Sequence, residues 1–158
     1  MLLFLVRHAD ALDSDEDAVR PLSPKGREQV ERMAKFLRAS HAFRVDEIWH
    51  SPLIRARQTA KLLSEGLGLR VPLSEVAGLE PNHDAEATAT KLRSVDVSLA
   101  VVGHEPHLSA LASILVAGEI QPFFVMRKGA VLALERAGAG ETSRWFVRWH
   151  VSPDLLGV

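Results

Sequence analysis

The strongest constraint on the fold lies in the first eleven residues, MLLFLVRHADA, where an apolar, β-favouring run from Leu2 to Val6 stops at Arg7 and His8. Alternation of apolar and polar residues marks a strand with one wet face, whereas an unbroken run marks a strand buried on both. Leu2–Val6 therefore predicts a central strand of a largely parallel sheet covered by helices. The run is too short for a signal peptide or a membrane span and has no basic segment ahead of it. A strand built for burial thus delivers a guanidinium and an imidazole at its tip.

The remainder of the chain alternates in the same sense. In RPLSPKG, Ser23 can cap a helix whose first turn suits Pro24, and Val30, Met33, Ala34 and Leu37 recur at helical spacing to about residue 40. Glu47–Trp49 reads as a second strand. Ser51 and Pro52 repeat the capping signal for a helix to about Glu65, stopped by Gly66 and Gly68. A strand at Val71–Leu73, a helix over 84–94, a strand at Ser98–Val102 and a helix from Pro106 to Ala117 follow. Val131–Glu135 and Trp145–His150 form a closing pair of strands around a turn at Ala137–Gly140. Trp145 and Trp149, four apart in a strand, are expected on one face as core residues. This order predicts an α/β fold, a three-layer α/β/α sandwich with a mostly parallel sheet. At 158 residues, the chain is expected to form a single domain, 1–158.

In such sheets ligands bind beyond the carboxyl ends of the strands. That rule gathers Arg7 and His8 from the first strand, His50 and Ser51 from the second with Arg55 one turn into the next helix, and Gly103 and His104 from a later strand. Guanidinium forks match phosphate oxygens, and a helix N-terminus favours the same anion. Two imidazoles can divide the chemistry, one attacking phosphorus and the other donating to the oxygens that carry charge in the transition state. His8 must be neutral at its attacking nitrogen. Neighbouring cations are expected to lower its pKa, and a backbone carbonyl on the other nitrogen would fix its tautomer.

Composition narrows the class. A formal net charge of -1 leaves no basic footprint for nucleic acid, and the absence of Cys removes disulfides, thiolate catalysis and cysteine-ligated metals. With no long apolar segment, a soluble cytoplasmic protein without membrane association is expected. GHEPHL spaces His104 and His107 three apart with Pro106 between them, unlike the four-residue spacing of a zinc helix, so no metal is expected. His107 is expected to be structural or exposed, and Arg57 and Gln58 to face solvent or pack locally. The acidic loop at residues 13–17 reads as a solvated loop, with selection of a substrate protein as the competing expectation.

LVRHADA resembles the RHG-type motif of the histidine phosphatase superfamily, with Ala9 where the third residue is usually Gly. RPLSPKG, HSPLIRARQTA and VVGHEPHL follow in the order and at the separations of short bacterial phosphohistidine phosphatases of the SixA type. The resemblance runs from about residue 2 to residue 150. It implies the phosphoglycerate mutase-like fold with one antiparallel strand, transient phosphorylation of His8, and phosphoryl binding by Arg7, Arg55 and His104. Arg20 is implied to line the site as a further substrate-binding residue, and no cofactor is implied. The implied partner is a phosphorylated protein, such as a histidine phosphotransfer domain, met by a monomer.

One block departs from the pattern. Relatives acting on alkyl phosphates use a carboxylate as general acid, worth ~10²–10⁴-fold for an alcohol leaving group. Glu80 and Asp84 of GLEPNHD lie in that region, but Gly78 stands where SixA-type chains tend to carry Glu. A phosphohistidine donor tolerates a weaker acid, which favours a phosphohistidine protein as substrate. A phosphatase of small phosphate monoesters and a noncatalytic phosphate-binding module are the competing expectations.

Overall fold

The computed structural model describes residues 1–138 and 142–158. The apolar run becomes strand β1 (Leu2–Arg7), followed by α1 (Pro24–Ser40), β2 (Glu47–His50), α2 (Ile54–Leu67) and β3 (Leu73–Glu75). Then come α3 (Ala85–Arg93), β4 (Leu99–Gly103), α4 (His107–Ala117), β5 (Val131–Ala137) and β6 (Arg144–Val151). The strands form one sheet in the order β3-β2-β4-β1-β5-β6. β1, β2, β3 and β4 pair in parallel, and β5 runs antiparallel to both of its neighbours. The expected α/β sandwich with one reversed strand and β1 at its centre is therefore present.

Alternation along β1 feeds two cores. Leu3 and Leu5 join α3 and α4 through Ala89, Leu92, Leu108 and Leu111 on one face. Phe4 and Val6 join α1 and α2 through Val30, Met33, Ala60 and Leu63 on the other. Leu5 has no exposed surface, and truncating such a residue to Ala costs about 2–5 kcal/mol. The sheet is thus anchored from both sides immediately below the tip that carries Arg7 and His8.

The α1 cap forms as its sequence implies. Ser23 Oγ accepts from the Gly26 amide at 3.0 Å and donates to the Asp10 carboxylate at 2.6 Å. A Cβ on Gly26 would stand 2.0 Å from the Asp10 carbonyl oxygen, so only glycine lets α1 press against the loop behind His8.

Three local expectations need correction. α2 starts at Ile54 rather than at the Ser51–Pro52 pair, its N-cap is Leu53 without a side-chain cap, and Gly66 lies inside the helix with Gly68 closing it. Ser51 instead accepts from the Leu53 amide at 3.2 Å, which makes a turn before the helix. β3 begins two residues later than the strand expected at Val71. Finally, Trp145 and Trp149 lie on opposite faces. The β5–β6 register shifts between Ala133 and Leu134, which pair with Trp149 and Val147 and leave Arg148 as an extra residue. One extra residue inverts the alternation, so Trp145 joins the Leu3 core while Trp149 packs near Phe4, with ring centroids 5.8 Å apart. The turn expected at Ala137–Gly140 falls in part on residues 139–141, outside the described residues. No helix among the described residues is long and apolar enough to cross a membrane.

Candidate active site

His8 leaves β1 where the strand meets its neighbours. Its amide donates to the Gly103 carbonyl at 2.9 Å, and Gly129 N donates back to the carbonyls of Arg7 and His8. The next residue is pinned through Thr59 Oγ1, which accepts from Ala9 N at 3.1 Å and donates to the Arg55 carbonyl at 2.7 Å. His8 Nδ1 lies 2.7 Å from the Ala9 carbonyl oxygen. A carbonyl only accepts, so Nδ1 carries the proton and the lone pair of the neutral ring is on Nε2. The Arg55 Nε–H group points at that lone pair from 3.4 Å.

Burial pushes the His8 pKa down to about 4, opposed by the Ala9 carbonyl and reinforced by Arg55, Arg7 and Lys128. The lowering expected from neighbouring cations is present, yet desolvation is its larger cause. At neutral pH His8 is a neutral base whose Nε2 lone pair lies beside the Arg55 guanidinium.

Arg55 sits in the first turn of α2, and its side chain is 5% exposed. Its second and third nitrogens reach Asp17, one to the backbone oxygen at 2.9 Å and one to the carboxylate at 3.2 Å. Asp17 opens a 3-10 turn, Asp17–Val19, in the acidic loop. The expected solvated loop is thus tied to Arg55 at one residue. Arg20 contacts the same carboxylate at 3.2 Å, donates to the Leu12 carbonyl at 3.0 Å and lies 3.7 Å from Asp13. Arg20 therefore meets the cluster through Asp17 and has no direct bond to His8. Desolvation works against ionisation of Asp17, but the Arg20 hydrogen bond and the Arg55 charge hold its carboxyl below the ordinary value.

His104 follows β4, and its ring centroid is 5.0 Å from that of His8. Its Nε2 lies 2.8 Å from Ser51 Oγ, while its buried Nδ1 has no partner among the described residues. Burial, followed by the charges of His8 and Arg55, pushes the His104 pKa down to about 3. Arg7 donates to the Met126 carbonyl at 2.8 Å, and its buried Nε is unpartnered among the described residues. The fold brings Arg7, His8, Arg55 and His104 to the same end of the sheet, beside an α2 N-terminus that no side chain caps. Such a set can hold an anion among guanidinium and imidazole N–H groups while presenting a nucleophilic nitrogen to it.

Other candidates fall elsewhere. His107 is buried with Nε2 3.0 Å from Thr88 Oγ1, and Gln58 accepts from Leu22 N at 2.8 Å, so both hold structure together. His50 points its Nδ1 at the Ser51 carbonyl. In GLEPNHD, Glu80 accepts from Gly78 N at 2.7 Å, and Asp84 caps α3 by accepting from Glu86 N at 2.9 Å. Gly78 has φ +95, a conformation that a Glu side chain there would strain, so the departure is built into the backbone. Sequence reasoning missed Asp17 and Lys128 as neighbours of the cluster, whereas it gathered Ser51 beside His50 at the strand end without giving it a role. Lys128 reaches the site by pairing with Asp10 at 2.8 Å.

Comparison with known proteins places the chain in a family. Residues 3–80 match the model of the histidine phosphatase superfamily, branch 1. The phosphohistidine phosphatase SixA of Escherichia coli is 29% identical over 99% of this chain and 96% of its own length. An uncharacterized protein of Picosynechococcus is 33% identical over 99% of this chain and 94% of its length. The solved structure of the protein histidine phosphatase SixA complexed with tungstate superimposes with a TM-score of 0.85 at 28% identity, covering 99% of both chains. By sequence and fold, the chain belongs to the histidine phosphatase superfamily as a SixA-like phosphatase.

Proposed function

We propose that the chain is a protein phosphohistidine phosphatase that works through a phosphoenzyme on Nε2 of His8. One observation carries this reading: Nδ1–H of His8 is engaged by the Ala9 carbonyl, which leaves Nε2 unprotonated beside Arg55 and near His104. In the first step the Nε2 lone pair forms a bond to phosphorus while the donor's P–N bond breaks. Its electron pair leaves with the donor imidazole, which takes a proton from solvent. In the second step a water oxygen attacks phosphorus, the His8 P–N bond breaks, the water proton passes to solvent, and inorganic phosphate departs. Arg7, Arg55 and His104 hold the phosphoryl oxygens through both steps. Arg20 acts at one remove, by holding Asp17.

The choice of donor rests on acid chemistry. An alcohol leaving group needs a placed proton donor, yet the carboxylates of Glu80 and Asp84 are turned to backbone amides. Asp17 is near, but its two arginine partners favour the ionised form. An imidazole leaving group makes the weaker demand, and the SixA relatives bear the name of that activity. The partner is then a protein carrying phosphohistidine, such as a histidine phosphotransfer domain. Rates on a phosphohistidine protein, on free phosphohistidine and on a panel of small phosphate esters test the reading. Highest kcat/KM on the protein is expected; equal or higher values on the esters would refute the substrate class, and full activity in His8→Ala would refute the mechanism.

A further inference from the structure

Ser51 is fully buried in the turn between β2 and α2, and the mechanism above leaves it unused. Its Oγ accepts from Leu53 N at 3.2 Å and lies 2.8 Å from His104 Nε2. We infer that Ser51 donates its hydroxyl proton to His104 Nε2, fixing the Nδ1–H tautomer and making Nδ1–H the group that binds a phosphoryl oxygen. This rests on the reading of the site as a phosphoryl-transfer centre.

Hydrogen-bond accounting separates the two tautomers. With the proton on His104 Nε2, Ser51 Oγ would accept twice, from Leu53 and from His104, and its own buried hydroxyl hydrogen would lose the acceptor it has in the ring. His104 Nδ1, buried and unpartnered among the described residues, would then be a bare lone pair that repels an anion. With the proton on Nδ1, Ser51 both donates and accepts, and the one unpaired group is an N–H that an arriving oxyanion satisfies.

Burial holds His104 neutral, with its pKa down to about 3, so the ring has a single N–H and its placement decides between donor and acceptor. The turn that holds Ser51 also leads into the first turn of α2, which presents Arg55. One stretch, residues 51–55, thereby orients two of the groups that meet the phosphoryl oxygens. Ser51 is a positioning residue: it acts on the phosphoryl group through His104.

The test reads the tautomer directly. Long-range proton–nitrogen NMR of ¹⁵N-labelled wild-type protein at neutral pH is expected to show His104 protonated at Nδ1 and bare at Nε2. In Ser51→Ala the Nε2–H form gains population, and kcat on p-nitrophenyl phosphate falls about 10- to 100-fold with KM changed less than about threefold. That loss is smaller than the ~10²–10³ of deleting such a donor outright. Ser51→Thr, which keeps the hydroxyl, retains the Nδ1–H form. Protonation at Nε2 in the wild type, or unchanged tautomer and kcat in Ser51→Ala, would overturn the inference. The wild-type spectrum carries the test even where a variant does not fold. Absence of turnover by the wild type would count against the phosphatase reading alone, because the tautomer is read in the resting protein.

Discussion

The buried His8 ring makes the fold sensitive to acid, and the size of the effect follows from its pKa. His8 titrates at about 4 in the folded chain against 6.5 when exposed. Above pH 6.5 both states are neutral and His8 contributes nothing to the pH dependence. As the pH falls below 6.5 the unfolded chain takes up a proton that the folded chain refuses until about pH 4. The unfolded state binds more protons in that window, so stability is lost progressively from pH 6.5 to about pH 4. At 1.36 kcal/mol per pH unit, the loss is about 2 kcal/mol at pH 5 and about 3 kcal/mol at pH 4. His8→Gln removes the titration, while His104 stays in both proteins and largely cancels in the difference. Urea unfolding of wild type and His8→Gln at pH 7.5 and pH 5 should show the variant gaining about 2 kcal/mol relative to wild type at the lower pH. A gap that is independent of pH would refute the assignment of His8 as a ring held neutral by burial.

Two further outcomes follow from particular contacts. Asp17 occupies Arg55 with a carboxylate whose side chain is 63% exposed, so Asp17→Asn should tighten inorganic phosphate binding by roughly 1.5- to 5-fold, the range of an exposed ion pair, with the gain shrinking as salt rises. Titration calorimetry checks this, and weaker binding would mean that Asp17 positions Arg55 instead of competing for it. Gly26→Ala forces a Cβ against the Asp10 carbonyl oxygen, and the resulting overpacking should cost about 1–3 kcal/mol in denaturant unfolding; a loss below about 0.5 kcal/mol would contradict the close approach.

Much of the site was legible because its chemistry sits at strand ends. An apolar run that ends in Arg7 and His8, a strand that ends in Gly103 and His104, and Arg55 one turn into a helix converge through the geometry of a parallel sheet alone. Contacts made across the tertiary structure were not legible. Asp17 meets Arg55 across 38 residues, and nothing local distinguishes it from Asp13 or Asp15 in the same acidic loop. Strand β6, RWFVRWHV, gave no warning of the extra residue that turns Trp149 to the opposite face, because a bulge leaves no mark on an apolar pattern with large residues on both sides. Ser51 was visible as a capping signal but serves the turn before α2 and the His104 ring. The depressed pKa of His8 was anticipated from its cationic neighbours, whereas the larger cause, burial, depends on packing by both helical layers.

In the proposed cycle, Nε2 of His8 carries the phosphoryl group during turnover. Rapid quench of the enzyme with a ³²P-labelled phosphohistidine protein, followed by digestion and mass spectrometry under alkaline conditions, tests it most directly. An acid-labile phosphate on His8, attached at Nε2, is expected to form and decay at rates consistent with turnover. Continued turnover with the label on another residue, or on Nδ1 of His8, would contradict it.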